Sequence, residues 1–273
     1  MAEYGLCELK KIASELRYLT VKMSLEGGAG HLASGLSCID LLTAVYFGGL
    51  NLCPEKLDDP LRDRFILSKG HAVAGLYATL ARRGYFDEGL LSTFNGAGSS
   101  LPEHPVPGCV PGIEVATGSL GHGLSIGLGL AHAGRMKGLD YRVCVLLSDG
   151  ECNEGSVWEG AMYGAAKGLN RMVVMVDYNG WQATGRTDEI LNVGSLRDKW
   201  RAFGWDAMDV DGHDLAVLQE AIGRGGCGDK PTALIAHTVK GKGVSFMEDD
   251  NNWHYRIPTV EQLAAAGKEL GIL

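Results

Sequence analysis

Two short apolar runs establish the fold class of this chain: Val143-Cys144-Val145-Leu146-Leu147, which ends in Ser148-Asp149-Gly150, and Met172-Val173-Val174-Met175-Val176, which ends in Asp177-Tyr178-Asn179-Gly180. The segment between them, residues 155–168, is predicted to be a helix. Apolar runs without polar alternation, separated by a helix, are typical of strands in a parallel sheet that is buried on both faces. The sequence therefore predicts an α/β fold, a doubly wound, mostly parallel sheet with helices on both faces.

The same alternation continues on both sides of this central stretch. Further strands are predicted at residues 205–210 and 233–239, with a helix at 215–224 between them. Thr259 and Gln262 form a capping-box pattern, which predicts the start of a C-terminal helix. Toward the N-terminus, apolar residues at helical spacing (Ile12, Leu16, Leu19 and Met23) predict a first helix, followed by helices at 37–47 and 71–83 and a loop rich in Gly, Pro and Ser at 96–112. We find no repeat and no domain boundary, so residues 1–273 are predicted to form one domain.

Composition and charge exclude several classes of protein. The 273 residues include 45% hydrophobic and 21% charged residues, as in an ordinary soluble domain. Since the net charge is -8 and no basic run occurs, a nucleic-acid partner is not expected. The first eleven residues carry charges where a signal peptide needs an apolar run, and the longest uncharged stretch, residues 115–134, holds six glycines. The seven cysteines are dispersed and form no C-x-x-C pair. We therefore expect a cytoplasmic protein with no membrane segment.

Polar residues follow both of the central apolar runs. Asp149 comes directly after the first run and Asn179 follows the second. Because ligands in open α/β sheets bind outside the carboxyl ends of the strands, these two side chains are candidate oxygen ligands for Mg²⁺. Gly150 would allow a diphosphate to approach the backbone closely. Asp and Asn are also common turn residues, so this spacing taken alone leaves both interpretations open.

The full string from Ser148 to Glu159, followed by Asn179, resembles the G-D-G…N thiamine-diphosphate motif of the transketolase family. Further blocks of the chain resemble that family in the same order: Gly30-His31, Leu67-Ser68-Lys69-Gly70-His71, Pro102-Glu103-His104-Pro105, Thr117-Gly118-Ser119-Leu120-Gly121-His122-Gly123, Asp211-Gly212-His213-Asp214, Thr238-Val239-Lys240-Gly241-Lys242-Gly243 and Trp253-His254. The resemblance covers nearly the whole chain. One departure is Ser148, which stands where the motif has its first glycine.

The resemblance implies a transferase that depends on thiamine diphosphate and Mg²⁺ and acts in carbohydrate metabolism. It would move a two-carbon ketol unit from a ketose donor to an aldose acceptor. Residues 1–273 correspond to the diphosphate-binding domain, and the pyrimidine-binding and C-terminal domains of the family are expected on a separate chain. The resemblance thus predicts the N-terminal subunit of a split transketolase, inactive alone and active in an α2β2 assembly. Phosphorylated, sulfonated and unmodified sugars all remain open as substrates.

The resemblance also assigns roles to individual residues. Asp149, Asn179 and the backbone carbonyl of Trp181 would bind Mg²⁺. Histidine suits proton transfer near neutral pH, and four histidines match the family residues that line the site, with Glu154 in a carboxylate network between active sites. The predicted catalytic set is His31, His71, His104, His254 and Glu154. The predicted cofactor-binding set is Lys69, Gly118, Ser119, Leu120, Gly121, His122, Gly123, Gly150, Glu151, Asn179 and Lys242, with Lys240 as the alternative to Lys242.

The remaining histidines receive structural interpretations. His132 and His237 are predicted to be packed core residues, and His213 with Asp214 is predicted to stabilise a loop at the edge of the sheet. Two other functions are kept as alternatives. One is a subunit of a related enzyme that shares the cofactor fold, similar to the E1 subunit of a 2-oxoacid dehydrogenase or to deoxyxylulose-phosphate synthase. The other is a non-catalytic paralogue, for which Ser148 is the only support.

Overall fold

Residues 4–273, which a computed structural model describes, contain a sheet of five parallel strands. The order across the sheet is β1-β2-β3-β5-β4. The strands are β1 (Arg64–Leu67), β2 (Val143–Ser148), β3 (Met172–Tyr178), β4 (Asp206–Asp211) and β5 (Thr232–His237). The predicted parallel sheet is confirmed. Only β1 was not predicted, because its four residues are too short for a periodic pattern.

The two faces of the sheet are both covered, which explains the uninterrupted apolar runs. In β2, Cys144 and Leu146 point into one hydrophobic cluster, whereas Val143, Val145 and Leu147 point into the other. Since alternate residues of a strand face opposite sides, a strand buried on both sides needs apolar residues at every position. All six residues of β2 are buried.

Helices form a layer on each face. The helices are α1 (Leu6–Gly27), α2 (Leu32–Ser37), α3 (Ile39–Ala44), α4 (Val73–Arg83), α5 (Gly123–Met136), α6 (Gly155–Ala166), α7 (Thr187–Leu191), α8 (Leu196–Ala202), α9 (Leu215–Arg224) and α10 (Val260–Glu269). Helices α1, α3, α4 and α9 pack on the face of Leu146, and α5, α6 and α8 pack on the face of Val145. The doubly wound arrangement follows from this alternation of helices.

Most predicted elements are confirmed, with a few differences. The capping box of α10 is present, since Thr259 Oγ1 accepts from the Gln262 N–H at 3.3 Å and Gln262 Oε1 accepts from the Thr259 N–H at 2.9 Å. The predicted helix 37–47 is wrong in its bounds. It is divided at Cys38 into α2 and α3, and it ends in a π turn at Val45–Gly49, where Gly48 has a φ of 151°. The spacing of apolar residues indicates neither the division at Cys38 nor the π turn.

The two histidines that the sequence predicts to be packed core residues are not fully buried. The prediction that His237 is a core residue is wrong, because it is the last residue of β5, is exposed and pairs with Asp209 at 2.8 Å. His132 is half-buried, and its Nδ1 lies 3.1 Å from the hydroxyl of Tyr163. Within the described range no helix is long and apolar enough to span a membrane. The first three residues, part of the charged N-terminus considered above, lie outside the described residues.

Candidate active site at the carboxyl edge of the sheet

A cleft of about 380 Å³ opens at the carboxyl ends of β1, β2 and β3. It brings together eleven of the predicted site residues: His31, Lys69, His71, His104, Gly118, Leu120, Gly150, Glu154, Asn179, Trp181 and His254. Five residues that were not predicted also line it: Ser34, Ser148, Asn153, Gln182 and Ala183. A larger groove of about 580 Å³, near Arg201 and Thr232, holds none of the predicted residues. We therefore place the candidate active site in the smaller cleft.

Four histidines from four separate segments meet in the cleft. The ring centroid of His31 lies 5.0 Å from His254, 5.4 Å from His71 and 6.1 Å from His104. His31 has a left-handed backbone with a φ of 61°, and its N–H donates to the carbonyl of His254 at 2.7 Å. This bond joins the start of α2 to the turn at Asn251–His254.

Burial favours the neutral form of three of these imidazoles, His31, His71 and His254. It lowers the pKa of His254 to about 3, holds the pKa of His71 well below its usual value and lowers that of His31. Neighbouring positive charge from Lys240 adds to the effect at His254, and Lys69 does so at His71. A neutral imidazole has one N–H donor and one acceptor nitrogen. The cluster is therefore suited to bind hydroxyl groups and to hold or pass a proton.

The carboxylate of Asp149 is buried at the end of β2. Its Oδ1 accepts from the Gly150 N–H at 2.9 Å, and its Oδ2 accepts from the Gly180 N–H at 2.9 Å and from Thr187 Oγ1 at 2.7 Å. Burial raises the pKa of Asp149 to about 6, although the hydrogen bond from Thr187 opposes that shift. A cation beside this carboxylate would offset the cost of burying its charge.

Two further candidate oxygen ligands follow the neighbouring strand β3. They are the side-chain amide oxygen of Asn179 and the backbone carbonyl of Trp181. Asn179 lines the cleft, and its Oδ1 accepts from the Trp181 N–H at 3.1 Å. Within residues 4–273 no cluster of three His, Cys, Asp or Glu side chains could hold a metal ion. One carboxylate with amide and carbonyl oxygens fits Mg²⁺, which commonly shares its remaining ligands with a phosphate group.

The glycine-rich turn at 118–123 passes over the cleft with little space to spare. Gly118 has a φ of 136°, and a Cβ there would lie 2.6 Å from Cδ2 of His104. Gly121 has a φ of 83°, and a Cβ there would lie 2.8 Å from Cβ of Glu154. Both positions need glycine for the backbone conformation as well as for the space. The turn can thus approach a ligand through its backbone.

Glu151 holds this turn rather than lining the cleft. It is fully buried, and its Oε1 accepts from the Gly121 N–H at 2.8 Å while its Oε2 accepts from the Ser148 N–H at 3.2 Å. Ser68 Oγ donates to the same carboxylate. The hydroxyl of Ser148 accepts from the Glu151 N–H at 3.2 Å, so the serine at this position takes part in the local hydrogen bonding.

We expect Gly121→Ala to weaken binding of thiamine diphosphate, the cofactor that the resemblance implies, by about tenfold or more, since an alanine at positive φ costs about 1–2 kcal/mol and shifts the turn before the contact with Glu154 is counted. The matched control is Gly129→Ala on α5, where an added Cβ meets nothing within 4 Å. That change is expected to stabilise the chain by up to about 1 kcal/mol. Cofactor titration by calorimetry and thermal unfolding would measure both effects. Equal cofactor affinity in the two variants would contradict the close approach of the turn.

Several predicted residues are not brought into the cleft. His122 is exposed, and its Nδ1 lies 3.2 Å from the carbonyl of Leu120. Ser119, Gly121 and Gly123 belong to the turn but do not line the cavity, and neither does Asp149, which precedes the cleft residue Gly150. The ammonium of Lys242 lies 3.3 Å from Glu248, whereas Lys240 is fully buried with its Nζ 3.1 Å from Nδ1 of His254. Neither lysine lines the cavity, and Lys240 is the one that contacts a histidine of the cleft.

A buried ion pair beneath the cleft was missed by the sequence analysis. The Lys69 ammonium pairs with Asp177, and both side chains are fully buried. Asp177 also accepts hydrogen bonds from Ser37 Oγ at 2.6 Å and from Thr238 Oγ1. Burial alone would lower the pKa of Lys69, but the Asp177 carboxylate raises it, and Lys69 in turn helps to hold the pKa of Asp177 below its usual value. The sequence signal for this ion pair is Asp177, a charged residue near the end of the otherwise apolar strand β3.

Besides Nδ1 of His31, which lies 3.3 Å from Oε1 of Glu103, two buried polar atoms in cleft-lining residues have no hydrogen-bond partner among the described residues. They are Oδ1 of Asn153 and Nε2 of Gln182. Buried polar groups are normally paired. One is an acceptor and the other a donor, so a bound polar ligand could satisfy both. The sequence offers no pattern that singles out either residue.

The comparisons with known proteins agree with this arrangement. Residues 9–272 match the family model described as transketolase, thiamine diphosphate binding domain. The chain is 43% identical over 251 residues to one of the subunits of apulose-4-phosphate transketolase from Phocaeicola vulgatus, an alignment that covers 92% of this chain and 89% of that protein. It is 39% identical to the SqwG subunit of 6-deoxy-6-sulfo-D-fructose transketolase from Clostridium sp., over 96% of each chain.

A solved structure is also similar over nearly the whole chain. The crystal structure of transketolase from Campylobacter jejuni superposes with a TM-score of 0.92 at 26% sequence identity. The match covers 98% of this chain and 43% of the Campylobacter chain. This chain thus spans less than half of that longer protein, but nearly the full length of the two subunits named above.

Proposed function

The chain belongs to the transketolase family, and we propose that it is the subunit that holds the diphosphate of thiamine diphosphate and one wall of the sugar site in a two-chain enzyme. The reaction is the transfer of a two-carbon ketol unit from a ketose to an aldose. The observation that carries the proposal is the meeting of Asp149, Asn179 and the 118–123 turn at the carboxyl edge of the sheet, beside a cleft that four histidines line.

The residues at the strand ends fit a metal-bound diphosphate. Asp149, Asn179 and the carbonyl of Trp181 would bind Mg²⁺, and the 118–123 turn and Gly150 would pass close to the diphosphate. Thiamine diphosphate, when bound, supplies the carbanion chemistry of ketol transfer. Glu151 would hold the turn in position and would not itself line the cleft, as its hydrogen bond from the Gly121 N–H indicates. Of the two lysines at 240 and 242, we assign Lys240 to the site.

The histidines would bind and orient the sugar. Breaking the carbon–carbon bond of a ketose requires a hydroxyl group to lose a proton, and the aldehyde acceptor must gain one. His31, His71, His104 and His254 lie within one cluster, and their ring nitrogens can donate or accept hydrogen bonds, so they can hold these protons at hydroxyl oxygens. Glu154 is exposed at the edge of the cleft, where a partner chain could reach it.

The partner would be a second chain with the pyrimidine-binding and C-terminal domains, in an α2β2 assembly. The relatives that match this chain over most of their length are named as subunits of transketolases. Their names refer to a phosphorylated and a sulfonated sugar. The ammonium groups of the two lysines near the cleft already have partners within this chain: Lys69 pairs with Asp177, and Lys240 contacts His254. We therefore propose that the partner binds an anionic tail of the sugar, while this chain binds hydroxyl groups.

The test is ketol transfer with thiamine diphosphate and Mg²⁺, measured on this chain alone, on the partner chain alone and on their mixture. Donors and acceptors should include phosphorylated, sulfonated and unmodified sugars. We expect activity in the mixture only. Full activity of this chain alone would refute the two-chain proposal. A mixture that forms a complex and binds the cofactor, yet transfers no ketol unit from any donor, would refute the proposed reaction.

A further inference from the structure

A buried lysine contacts His254 at one of its two ring nitrogens. Nζ of Lys240 lies 3.1 Å from Nδ1 of His254 and 2.6 Å from Oδ1 of Asn251. An ammonium group has three donors and no acceptor. Nδ1 of His254 must therefore accept this hydrogen bond, and the single proton of the neutral ring must be on Nε2.

The other ring nitrogen is free for a ligand. Across residues 4–273, Nε2 of His254 has no hydrogen-bond partner, and the residue lines the cleft. The ring is held in place from three sides, because it lies between His31, His71 and Tyr255, with centroid distances of 5.0, 6.0 and 4.7 Å. An Nε2–H in this position can only donate.

We propose that Lys240 is a positioning residue that holds His254 as the Nε2–H tautomer, so that His254 donates a hydrogen bond to an oxygen of the bound ligand and does not accept one. Only the identity of that ligand, a sugar or the cofactor, rests on the proposed function. The tautomer itself is a property of this chain.

A second buried network holds the segment that carries Lys240. His213 accepts the Val239 N–H at its Nε2 at 2.9 Å, and its Nδ1 lies 2.7 Å from Asp40. The same oxygen of Asp40 is paired with Arg17, whose Nε donates to the carbonyl of Lys242 at 2.9 Å. Asp40 thus anchors the backbone on both sides of Lys240, once through His213 and once through Arg17.

This anchoring explains how a lysine can be buried against a histidine. Asp40 and Arg17 are themselves buried, so the network is protected from water. The Gly241 N–H adds a third backbone contact by donating to the carbonyl of Ala33 at 3.0 Å. The predicted role of His213 in stabilising a loop therefore becomes specific: it sets the position of Lys240.

The tautomer can be read directly by nuclear magnetic resonance of the ¹⁵N-labelled full chain, without cofactor or partner. Long-range ¹H–¹⁵N spectra distinguish protonated from unprotonated ring nitrogens, and the missing signals of His254→Gln assign the ring. We expect a protonated Nε2 and an unprotonated Nδ1 in the unmodified chain. Lys240→Met should lose this preference and show a mixture, whereas Lys240→Arg, which also has only donors, should keep it. Lys242→Met is the matched control and should leave both shifts unchanged.

His213 contacts the backbone next to Lys240 and does not contact His254 itself. We therefore expect His213→Gln to weaken the preference for the Nε2–H tautomer less than Lys240→Met does. In the assembled enzyme, Lys240→Met should lower kcat/KM by about 10- to 100-fold, as the loss of a group that orients a ligand-binding histidine does, and Lys240→Arg should restore part of it. A proton on Nδ1 in the unmodified chain would overturn the proposal, and so would an unchanged tautomer in a folded Lys240→Met chain. A confirmed tautomer with no ketol transfer in the mixture would contradict the proposed function alone.

Discussion

Asp149→Ala is expected to weaken Mg²⁺-dependent binding of thiamine diphosphate to the two-chain enzyme by at least about a hundredfold, and to lower ketol transfer correspondingly. The change removes the only carboxylate of the proposed metal site. A charged metal ligand contributes several kcal/mol, and each 1.4 kcal/mol corresponds to about a factor of ten. Isothermal calorimetry with thiamine diphosphate at fixed Mg²⁺ would measure the affinity.

The matched control for this experiment is Asp140→Ala. Asp140 is an exposed carboxylate, paired with Arg171, three residues before β2 and thus at the opposite end of that strand from Asp149. We expect no more than about a twofold change in cofactor affinity, since exposed ion pairs contribute little. Thermal unfolding without metal would show that Asp149→Ala is folded. If that folded variant bound the cofactor as tightly as the unmodified enzyme at the same Mg²⁺ concentration, Asp149 would not be a metal ligand.

Lys69→Met is expected to lower the free energy of unfolding by about 3–5 kcal/mol, because it leaves the buried Asp177 carboxylate without its counter-charge. The two side chains are fully buried beneath the cleft, so water cannot replace the missing ammonium. Urea unfolding followed by circular dichroism would measure the loss. The double variant Lys69→Met with Asp177→Asn should lose less than the sum of the two single changes, since neither charge then remains unpaired.

An exposed pair of the same type serves as the comparison. Lys22 and Glu26 lie one turn apart on α1, with 3.8 Å between Nζ and Oε1, and both side chains are partly in solvent. Lys22→Met should change the free energy of unfolding by no more than about 0.5 kcal/mol. A loss at Lys69→Met as small as that at Lys22→Met would show that the buried pair does not hold the cleft together.

The candidate site is built mainly from segments that lie far apart in the sequence. His31, His71, His104 and His254 lie in four different segments. The resemblance to the transketolase family predicts that they line one site, and their rings do lie together, whereas nothing in local periodicity could have grouped them. The partner that orients the His254 ring, Lys240, was not identified by the resemblance as a partner of that ring.

The order of residues was sufficient to predict the parallel sheet and the meeting of Asp149 with Asn179. Strands buried on both faces require apolar residues at every position, and the carboxyl ends of neighbouring parallel strands lie at one edge. Two residues that follow such strands must therefore be close in space. The capping box of α10 was predictable for a similar reason, since its two hydrogen bonds join residues only three positions apart.

The folded chain was needed to choose between Lys240 and Lys242 and to show that Asp177 pairs with Lys69. The two lysines stand in one irregular segment, where Gly241 and Gly243 take φ values of 79° and 92° and direct the side chains differently. Lys69 and Asp177 are separated by 108 positions. Side-chain direction in irregular segments and pairing across the chain depend on how distant elements pack, and the local order of residues does not encode that packing in a readable form.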